Sequence, residues 1–125
     1  MRRIRFYILR AFAFISRMFS SGIYMALIVK AHKTVGVHFV GKPAYIHTDA
    51  MLDPSGSLTI SEKVVISTKV IILTHDWSFL KNVVLPPPAL YESYAFKPVF
   101  IGQNNFIGAG AIILPGTHIG KNCIM

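Results

Sequence analysis

IGQNNFIGAGAIILPGTHIGKNCI, residues 101–124, is the stretch that decides the fold. Read in blocks of six, it begins every block with isoleucine, at Ile101, Ile107, Ile113 and Ile119. A helix repeats about every 3.6 residues and a strand about every 2, so neither produces this spacing. Six-residue repeats are typical of a β-solenoid, in which each repeat supplies a short strand and a turn. A repeat buries its aliphatic side chain only against neighbouring repeats.

A looser form of the same register occurs earlier in the chain, at Ile46, Ile60, Ile66 and Ile72. Leu52 and Ile60 break it, because they are eight residues apart rather than six. Between them lies Pro54-Ser55-Gly56, which predicts a turn insertion. We therefore expect one solenoid with an irregular corner near residue 55.

Two stretches carry a resemblance to a known family: ISEKVVISTKVIILTHDWS (60–78) and KPVFIGQNNFIGAGAIILPGTHIGKNCIM (97–125). They resemble the hexapeptide-repeat acyltransferases, and more narrowly their sugar O-acetyltransferase branch. The resemblance implies a mainly β fold, a left-handed parallel β-helix over residues 34–125. Three repeats would form one coil, so that Ile119 stacks on Ile101. It also implies a homotrimer that uses acetyl-CoA as its acyl donor.

Thr74-His75-Asp76 ends the first run of repeats. Acyl transfer from a thioester to a hydroxyl needs a base for the hydroxyl proton, and a neutral imidazole titrates near working pH. The resemblance implies that His75 is the catalytic histidine, in a cleft between two subunits. The alternative is a surface histidine at the start of a loop. Asp76 directly follows His75 on an extended chain, so we expect its side chain to point away from the imidazole.

Gly108-Ala109-Gly110 provides the second candidate group. Members of the family polarise the thioester carbonyl with the amide of the residue after an Ile-Gly pair, here Ile107-Gly108. The resemblance therefore implies that Gly108 and Ala109 contact acetyl-CoA and that the Ala109 amide binds the oxyanion. A backbone N–H can do this when it is held in place beforehand. The alternative is that small residues simply suit a tight coil.

Between the two runs of repeats lies WSFLKNVVLPPPALYESYAFK, about residues 77–97. The three consecutive prolines exclude regular helix or sheet there and predict a long loop. Its aromatic residues suit stacking on a sugar ring or, alternatively, wrapping a neighbouring subunit. These residues are Trp77, Phe79, Tyr91, Tyr94 and Phe96.

The net charge of +8 is concentrated at the N-terminus. Residues 1–33 contain seven basic residues and no acidic residue, whereas the other 92 contain six basic and five acidic residues. We expect residues 1–33 to form a basic amphipathic helical segment. The near-neutral repeats offer no basic face for nucleic acid, so we expect no nucleic-acid partner.

Residues 1–29 suggest a peripheral membrane contact. Arg3, Arg10 and Arg17 are seven apart and would form one stripe on a helix, with Phe6, Ile8, Phe12 and Ile15 facing lipid. A transmembrane helix would place Arg17 inside the bilayer, and the arginines also fit a signal peptide poorly. The alternative to membrane contact is a helix packed on the first coil of the solenoid.

Metal sites and disulfides are not predicted. Cys123 is the only cysteine and occupies a small-residue position of its repeat, which indicates packing and a reducing compartment. The histidines show no His-x4-His spacing, and His118 is expected to be solvated; a catalytic zinc site usually has three protein ligands. The histidines are His32, His38, His47, His75 and His118.

Met125 falls on the first position of a further repeat, so we expect a C-terminal coil to be missing. The sequence as a whole predicts an acetyl-CoA-dependent O-acetyltransferase of a sugar hydroxyl, in cell-surface polysaccharide or lipopolysaccharide modification. Its expected location is the cytoplasm, at the inner face of the membrane if the N-terminus binds lipid. Two alternatives stay open: acetylation of serine, an aminosugar or an antibiotic, and an inactive solenoid that serves as a scaffold.

Overall fold

A computed structural model describes residues 1–76 and 95–125. Within these residues, two helices precede ten short strands. The helices are α1 (Arg2–Ser16) and α2 (Ser21–Val35). The strands are β1 (His38–Val40), β2 (Tyr45–Ile46), β3 (Met51–Leu52), β4 (Leu58–Ser61), β5 (Val65–Ile66), β6 (Ile71–Ile72), β7 (Val99–Ile101), β8 (Phe106–Ile107), β9 (Ile112–Ile113) and β10 (His118–Ile119).

The strands form three parallel sheets that the chain visits in turn. Sheet A has the order β1-β4-β7-β10, sheet B has β2-β5-β8 and sheet C has β3-β6-β9. Successive strands in the sequence belong to different sheets, and every third strand returns to the same sheet one coil further on. The described residues therefore build a mainly β, three-sided solenoid, with an A–B, a B–C and a C–A corner in each coil.

Aliphatic side chains stack in columns inside this solenoid. Ile60 pairs with Ile101, and Ile101 pairs with Ile119, as the six-residue period predicts. The other two columns are Ile46, Ile66 and Ile107 in sheet B, and Leu52, Ile72 and Ile113 in sheet C. All of these side chains are buried. Each repeat thus supplies one inward aliphatic residue and depends on the coils above and below to cover it.

Coil length varies only at the corners. Ile119 lies 18 positions after its partner Ile101, whereas Ile72 lies 20 positions after its partner Leu52. The two additional residues fall in the turn between β3 and β4, where the sequence predicts an insertion around Pro54-Ser55-Gly56. The strands keep their register. One further additional residue lies at the first A–B corner, between β1 and β2, because Phe39 lies 21 positions before its partner Ile60.

Glycine at the second position of a repeat follows from the closeness of adjacent coils. A Cβ atom at Gly102 would lie 2.4 Å from the carbonyl oxygen of Gly120 in the next coil. Real Cβ contacts do not approach so closely, so a larger residue would push the coils apart. Asn105 is buried beside them and donates from Nδ2 to both carbonyls, of Gly102 at 3.0 Å and of Gly120 at 2.6 Å.

The N-terminal segment forms two helices rather than one. The Ser20 hydroxyl accepts a hydrogen bond from the Ile23 amide at the start of α2, and Gly36 ends α2 in the left-handed conformation. Tyr24 and Ile28 are buried in the core, and the Tyr24 hydroxyl donates to the Ile46 carbonyl at 2.5 Å. Helix α2 is thus packed on the first coil, which is the alternative to membrane contact for this half of the segment.

Helix α1 exposes Ile8, Phe12 and Ile15 as expected, but its arginines and Phe6 differ from the expectation. Arg10 donates to the Thr48 carbonyl and Arg17 contacts His47, so both arginines reach the solenoid instead of facing lipid headgroups. Phe6 packs edge-on against His32 of α2, at 5.3 Å between ring centroids, rather than facing outward. In the described part of the chain, neither helix is long and apolar enough to span a bilayer.

His32 lies at the contact between the two helices and is almost fully buried. Nδ1 bonds the Ile28 carbonyl at 2.9 Å, while Nε2 is buried without a hydrogen-bond partner. Burial lowers the pKa of His32 from about 6.5 to about 4; the Ile28 carbonyl opposes this shift and the nearby Arg10 charge adds to it. Because the folded state disfavours the imidazolium, the stability that this histidine contributes is present above about pH 6.5 and is lost as the pH falls through about 4.

We expect acidification from pH 7 to 4.5 to lower the free energy of unfolding by about 2–3 kcal/mol through His32. Replacement of His32 by Leu should remove this part of the pH dependence, because leucine does not titrate. The measurement is chemical denaturation, followed by circular dichroism, of both proteins at the two pH values. Equal losses in the two proteins would contradict the assignment.

Candidate functional site

His75 lies at the C–A corner, three residues after β6. It pairs with Phe96 through an isolated antiparallel bridge, where the chain returns to the solenoid. The side chain of His75 is 31% exposed. A partly exposed imidazole on a fixed backbone can meet a substrate without losing its orientation.

The carboxylate that contacts His75 belongs to Asp53, not to the neighbouring Asp76. Asp53 Oδ2 lies 2.6 Å from His75 Nδ1. Asp53 follows β3 at the same corner, one coil earlier, and its side chain is nearly buried. The Ser55 hydroxyl oxygen lies 3.0 Å from the same nitrogen. These contacts make Nδ1 the protonated nitrogen of a neutral His75, so that Nε2 is the basic one.

Asp53 is held by four further hydrogen bonds. Its Oδ1 accepts from the amide of Ser55 at 3.0 Å and from its hydroxyl at 2.6 Å, while Oδ2 accepts from the amide and the hydroxyl of Thr74, both at 2.8 Å. Burial acts to raise the pKa of Asp53, but these bonds outweigh it and hold the pKa well below its ordinary value. The carboxylate is therefore ionised at neutral pH and can stabilise an imidazolium on His75.

Thr74 fixes the two coils together beneath the histidine. Its buried hydroxyl accepts from the Gly56 amide at 2.7 Å while it donates to Asp53. A Cβ atom at Gly56 would lie 2.1 Å from the Thr74 carbonyl oxygen. The turn insertion between β3 and β4 therefore serves to bring Asp53 and Ser55 against His75.

The chain leaves and rejoins the solenoid beside His75. The Asp76 amide donates to the Ala95 carbonyl at 2.8 Å, and the Lys97 amide donates to the Thr74 carbonyl at 2.9 Å. The ring of Phe96 lies 6.4 Å from that of His75. The other aromatic residues expected to contact a sugar, or a neighbouring subunit, lie outside the described residues.

A cleft of about 470 Å³ lies between the start of α1 and the corner that carries Asp53. Ser55, which contacts His75, forms part of its wall together with Pro54. Arg2, Arg3 and Tyr7 line the opposite side. The cleft thus combines two positive charges and an aromatic ring next to the histidine site.

Ala109 lies at the B–C corner, between β8 and β9, and is exposed. The amide of Gly108 donates to the Met125 carbonyl at 2.7 Å, and that of Gly110 donates to the Thr68 carbonyl at 3.0 Å. Within the described ranges, 1–76 and 95–125, the Ala109 amide has no such acceptor. Of the three amides in this turn, that of Ala109 is the one left for a ligand.

His75 and Ala109 occupy different corners of one chain, with a side of the prism between them. One chain therefore does not bring the expected base and the expected oxyanion donor together. A site that uses both needs a second copy of the chain, whose B–C corner would face the C–A corner of the first.

The remaining histidines and the cysteine form no comparable cluster. Across residues 1–76 and 95–125, no three His, Cys, Asp or Glu side chains are grouped so that they could hold a metal ion. His118 is exposed and stacks on Phe100, at 4.7 Å between ring centroids. Cys123 is partly buried against the core, in line with its predicted packing role.

A comparison with known protein families identifies the repeats. Residues 98–125 match the family described as bacterial transferase hexapeptide (six repeats). This match supports the transferase hexapeptide family and suggests the left-handed form of the parallel β-helix. No curated protein and no solved structure matches the chain.

Asp53 is the residue at this site that sequence reasoning missed. It stands 22 positions before His75, so adjacency along the chain gives no hint of their contact. The signal that could have revealed it is the coil length, because a coil of 20 residues places residue 53 directly beneath residue 73. A contact between a carboxylate and a candidate base is indicated when an acidic residue begins a two-residue insertion one coil below that base.

Proposed function

We propose that this chain is an acetyl-CoA-dependent O-acetyltransferase that acts on a sugar hydroxyl, in the modification of cell-surface polysaccharide or lipopolysaccharide. The observation that carries the proposal is the 2.6 Å contact of His75 Nδ1 with the buried carboxylate of Asp53. It orients a partly exposed imidazole for proton transfer at Nε2, and the hexapeptide transferase match makes acyl transfer the favoured chemistry.

In the proposed reaction, His75 Nε2 takes the proton from the acceptor hydroxyl as its oxygen attacks the thioester carbonyl carbon. The carbonyl oxygen becomes an oxyanion, which the Ala109 amide of a neighbouring copy stabilises. The carbon–sulfur bond then breaks, and the thiolate of coenzyme A receives the proton from the imidazolium. Asp53 stays ionised throughout and acts as a positioning residue.

A homotrimer is part of the proposal, because the two groups lie at different corners of each chain. In a three-fold assembly every C–A corner faces one B–C corner, so three identical sites result. The proposed reaction draws on acetyl-CoA, a cytoplasmic metabolite, so the cytoplasm is the location that we propose. No metal ion is assigned a role.

The cleft beside Ser55 supports a glycan acceptor. Arg2 and Arg3 suit a phosphate or carboxylate group, and the Tyr7 ring suits contact with a sugar face. Acidic groups are common on surface polysaccharides and absent from simple hexoses. The positive charge thus favours an anionic acceptor over a neutral hexose, and the Tyr7 ring favours a glycan over serine.

The test is release of coenzyme A from acetyl-CoA, followed with a thiol reagent, by the chain incubated with separate acceptors. We expect release that depends on an anionic glycan and a product whose acetyl group is removed by alkaline hydroxylamine, as an ester requires. The acceptor panel includes serine, a neutral hexose and an aminosugar. A hydroxylamine-stable product would indicate N-acetylation. No release with any acceptor, together with no acetyl-CoA binding in calorimetry, would favour the scaffold.

A further inference from the structure

Helix α1 carries an apolar face that points away from the protein. Ile4, Ile8, Phe12 and Ile15 are spaced by four, four and three residues, so they share one side of the helix. Their side chains are between 50% and 63% exposed. We call this surface, residues 4, 8, 12 and 15, the outer face of α1.

The exposed apolar surface extends well beyond these four residues. Between residues 4 and 19, eight large apolar or aromatic side chains are at least half exposed; they are Ile4, Tyr7, Ile8, Phe12, Phe14, Ile15, Met18 and Phe19. Water-soluble proteins rarely expose so many apolar side chains side by side, and such patches mark contacts with membranes or other proteins. Scattered surface residues would not explain an uninterrupted face.

Contacts on the opposite side fix the rotation of α1. Phe6 packs on His32 of α2, Arg10 donates to the Thr48 carbonyl, and Arg17 contacts His47. Arg10 also lies over the ring of Phe6. With these groups held against α2 and the first coil, the helix cannot roll to bury its outer face without breaking them.

Positive charge borders the outer face, and no negative charge accompanies it. Arg3 and Arg5 flank Ile4 and project to either side of it, since successive residues of a helix are about 100° apart. Arg5, Ile8 and Lys30 line one groove, which adds a charge from α2 along the same edge. The first acidic residue of the chain is Asp49. An apolar face with basic borders matches the headgroup and acyl layers of an anionic membrane.

The length of α1 and the charges beside its outer face together indicate which partner binds that face. The 15 residues of α1 span about 22 Å, less than the roughly 30 Å of a bilayer core, so the helix would lie in the plane of the membrane. A second copy docked through the same face would bring its own arginines against Arg3 and Arg5, and like charges repel. We propose that the outer face of α1 binds the surface of a bilayer that contains anionic lipid.

The experiment is flotation of the full chain with vesicles of phosphatidylcholine alone or of equal parts phosphatidylcholine and phosphatidylglycerol. We expect at least about 10-fold stronger partition on the anionic vesicles, because of the bordering arginines and lysine. The variant Ile8→Gln, Phe12→Gln, Ile15→Gln should partition at least about 100-fold more weakly, since three large side chains no longer enter the acyl boundary. These positions are exposed, so circular dichroism should show an unchanged fold.

A matched control places Gln at Val40 and Phe106, which are exposed to a similar degree on sheets A and B, at 59% and 45%. This control should float like the parent chain. Equal flotation of the α1 variant and the parent, or no flotation of the parent on either vesicle, would overturn the proposal. So would a lower mass of the α1 variant in light scattering without lipid, because the face would then join copies of the chain. Flotation needs no acetyl transfer, and its outcome is independent of the proposed function.

Discussion

Replacement of His75 by Ala is expected to lower turnover by about 10²–10⁴-fold, the usual contribution of a positioned general base. Acetyl-CoA binding should change little, because its proposed contacts are Gly108 and Ala109 of a neighbouring copy, whereas His75 acts on the acceptor hydroxyl. The measurement is acceptor-dependent release of coenzyme A, with calorimetry of acetyl-CoA binding on the same samples.

The matched control for this variant is His118→Ala. His118 is also a partly stacked surface histidine, but it lies on β10 in sheet A and touches none of the groups around Asp53. Its removal should leave turnover unchanged. Comparable losses from both substitutions would show that His75 is not the base.

Asp53→Asn separates positioning from catalysis within the same assay. An amide in place of the carboxylate no longer stabilises the imidazolium, so turnover should fall and the acid limb of the kcat/KM profile should move to lower pH. If Asp53 were only structural, Asp53→Asn would lower the stability of the protein but leave the acid limb of the kcat/KM profile at the same pH.

Ile113→Asp is expected to unfold the solenoid, whereas Ile112→Asp should be tolerated. The two residues are adjacent on β9, but Ile113 is 2% exposed and Ile112 is 60% exposed, because neighbouring side chains on a strand point to opposite faces. At Ile113 the substitution removes about 1.5–3 kcal/mol of apolar burial and adds the larger cost of a buried, unpaired carboxylate. Native proteins have a net stability of only about 5–15 kcal/mol.

Circular dichroism with chemical denaturation at pH 7 checks this expectation. The Ile112 variant serves as the internal control, since it introduces the same residue one position away. A cooperative transition of parental midpoint in the Ile113 variant would mean that the side chain does not face the core.

The sequence predicts those features of the fold that follow from the six-residue spacing of aliphatic residues. Ile101 and Ile119 stack because equal spacing along the chain becomes equal height in a solenoid, and the same spacing identifies the columns of Ile66 and Ile72. The irregular turn at Pro54 was predicted from its turn residues. Its consequence, the contact between Asp53 and His75, was not, since it depends on how the turn folds against the next coil.

The N-terminal segment shows a different limit of sequence reasoning. Helical spacing predicts that the arginines and the apolar residues of α1 lie on opposite sides, but it does not say which side meets the protein. Arg10 and Arg17 find hydrogen-bond acceptors on the first coil, and this decides the orientation. The break between α1 and α2 was missed as well, although Ser20, Ser21 and Gly22 are ordinary signals for the end of one helix and the start of another.

The chain leaves the solenoid and rejoins it at almost the same point, beside His75. The intervening segment is therefore exchangeable. Ile60 and Ile101 pair in register although 41 positions separate them, because the bonds of Asp76 to Ala95 and of Lys97 to Thr74 bring the chain back to the point of departure. The entropic cost of closing a loop rises only slowly with its length. Evolution or design could therefore graft a different segment between residues 76 and 95 and alter what approaches His75 while the stacked coils stay as they are.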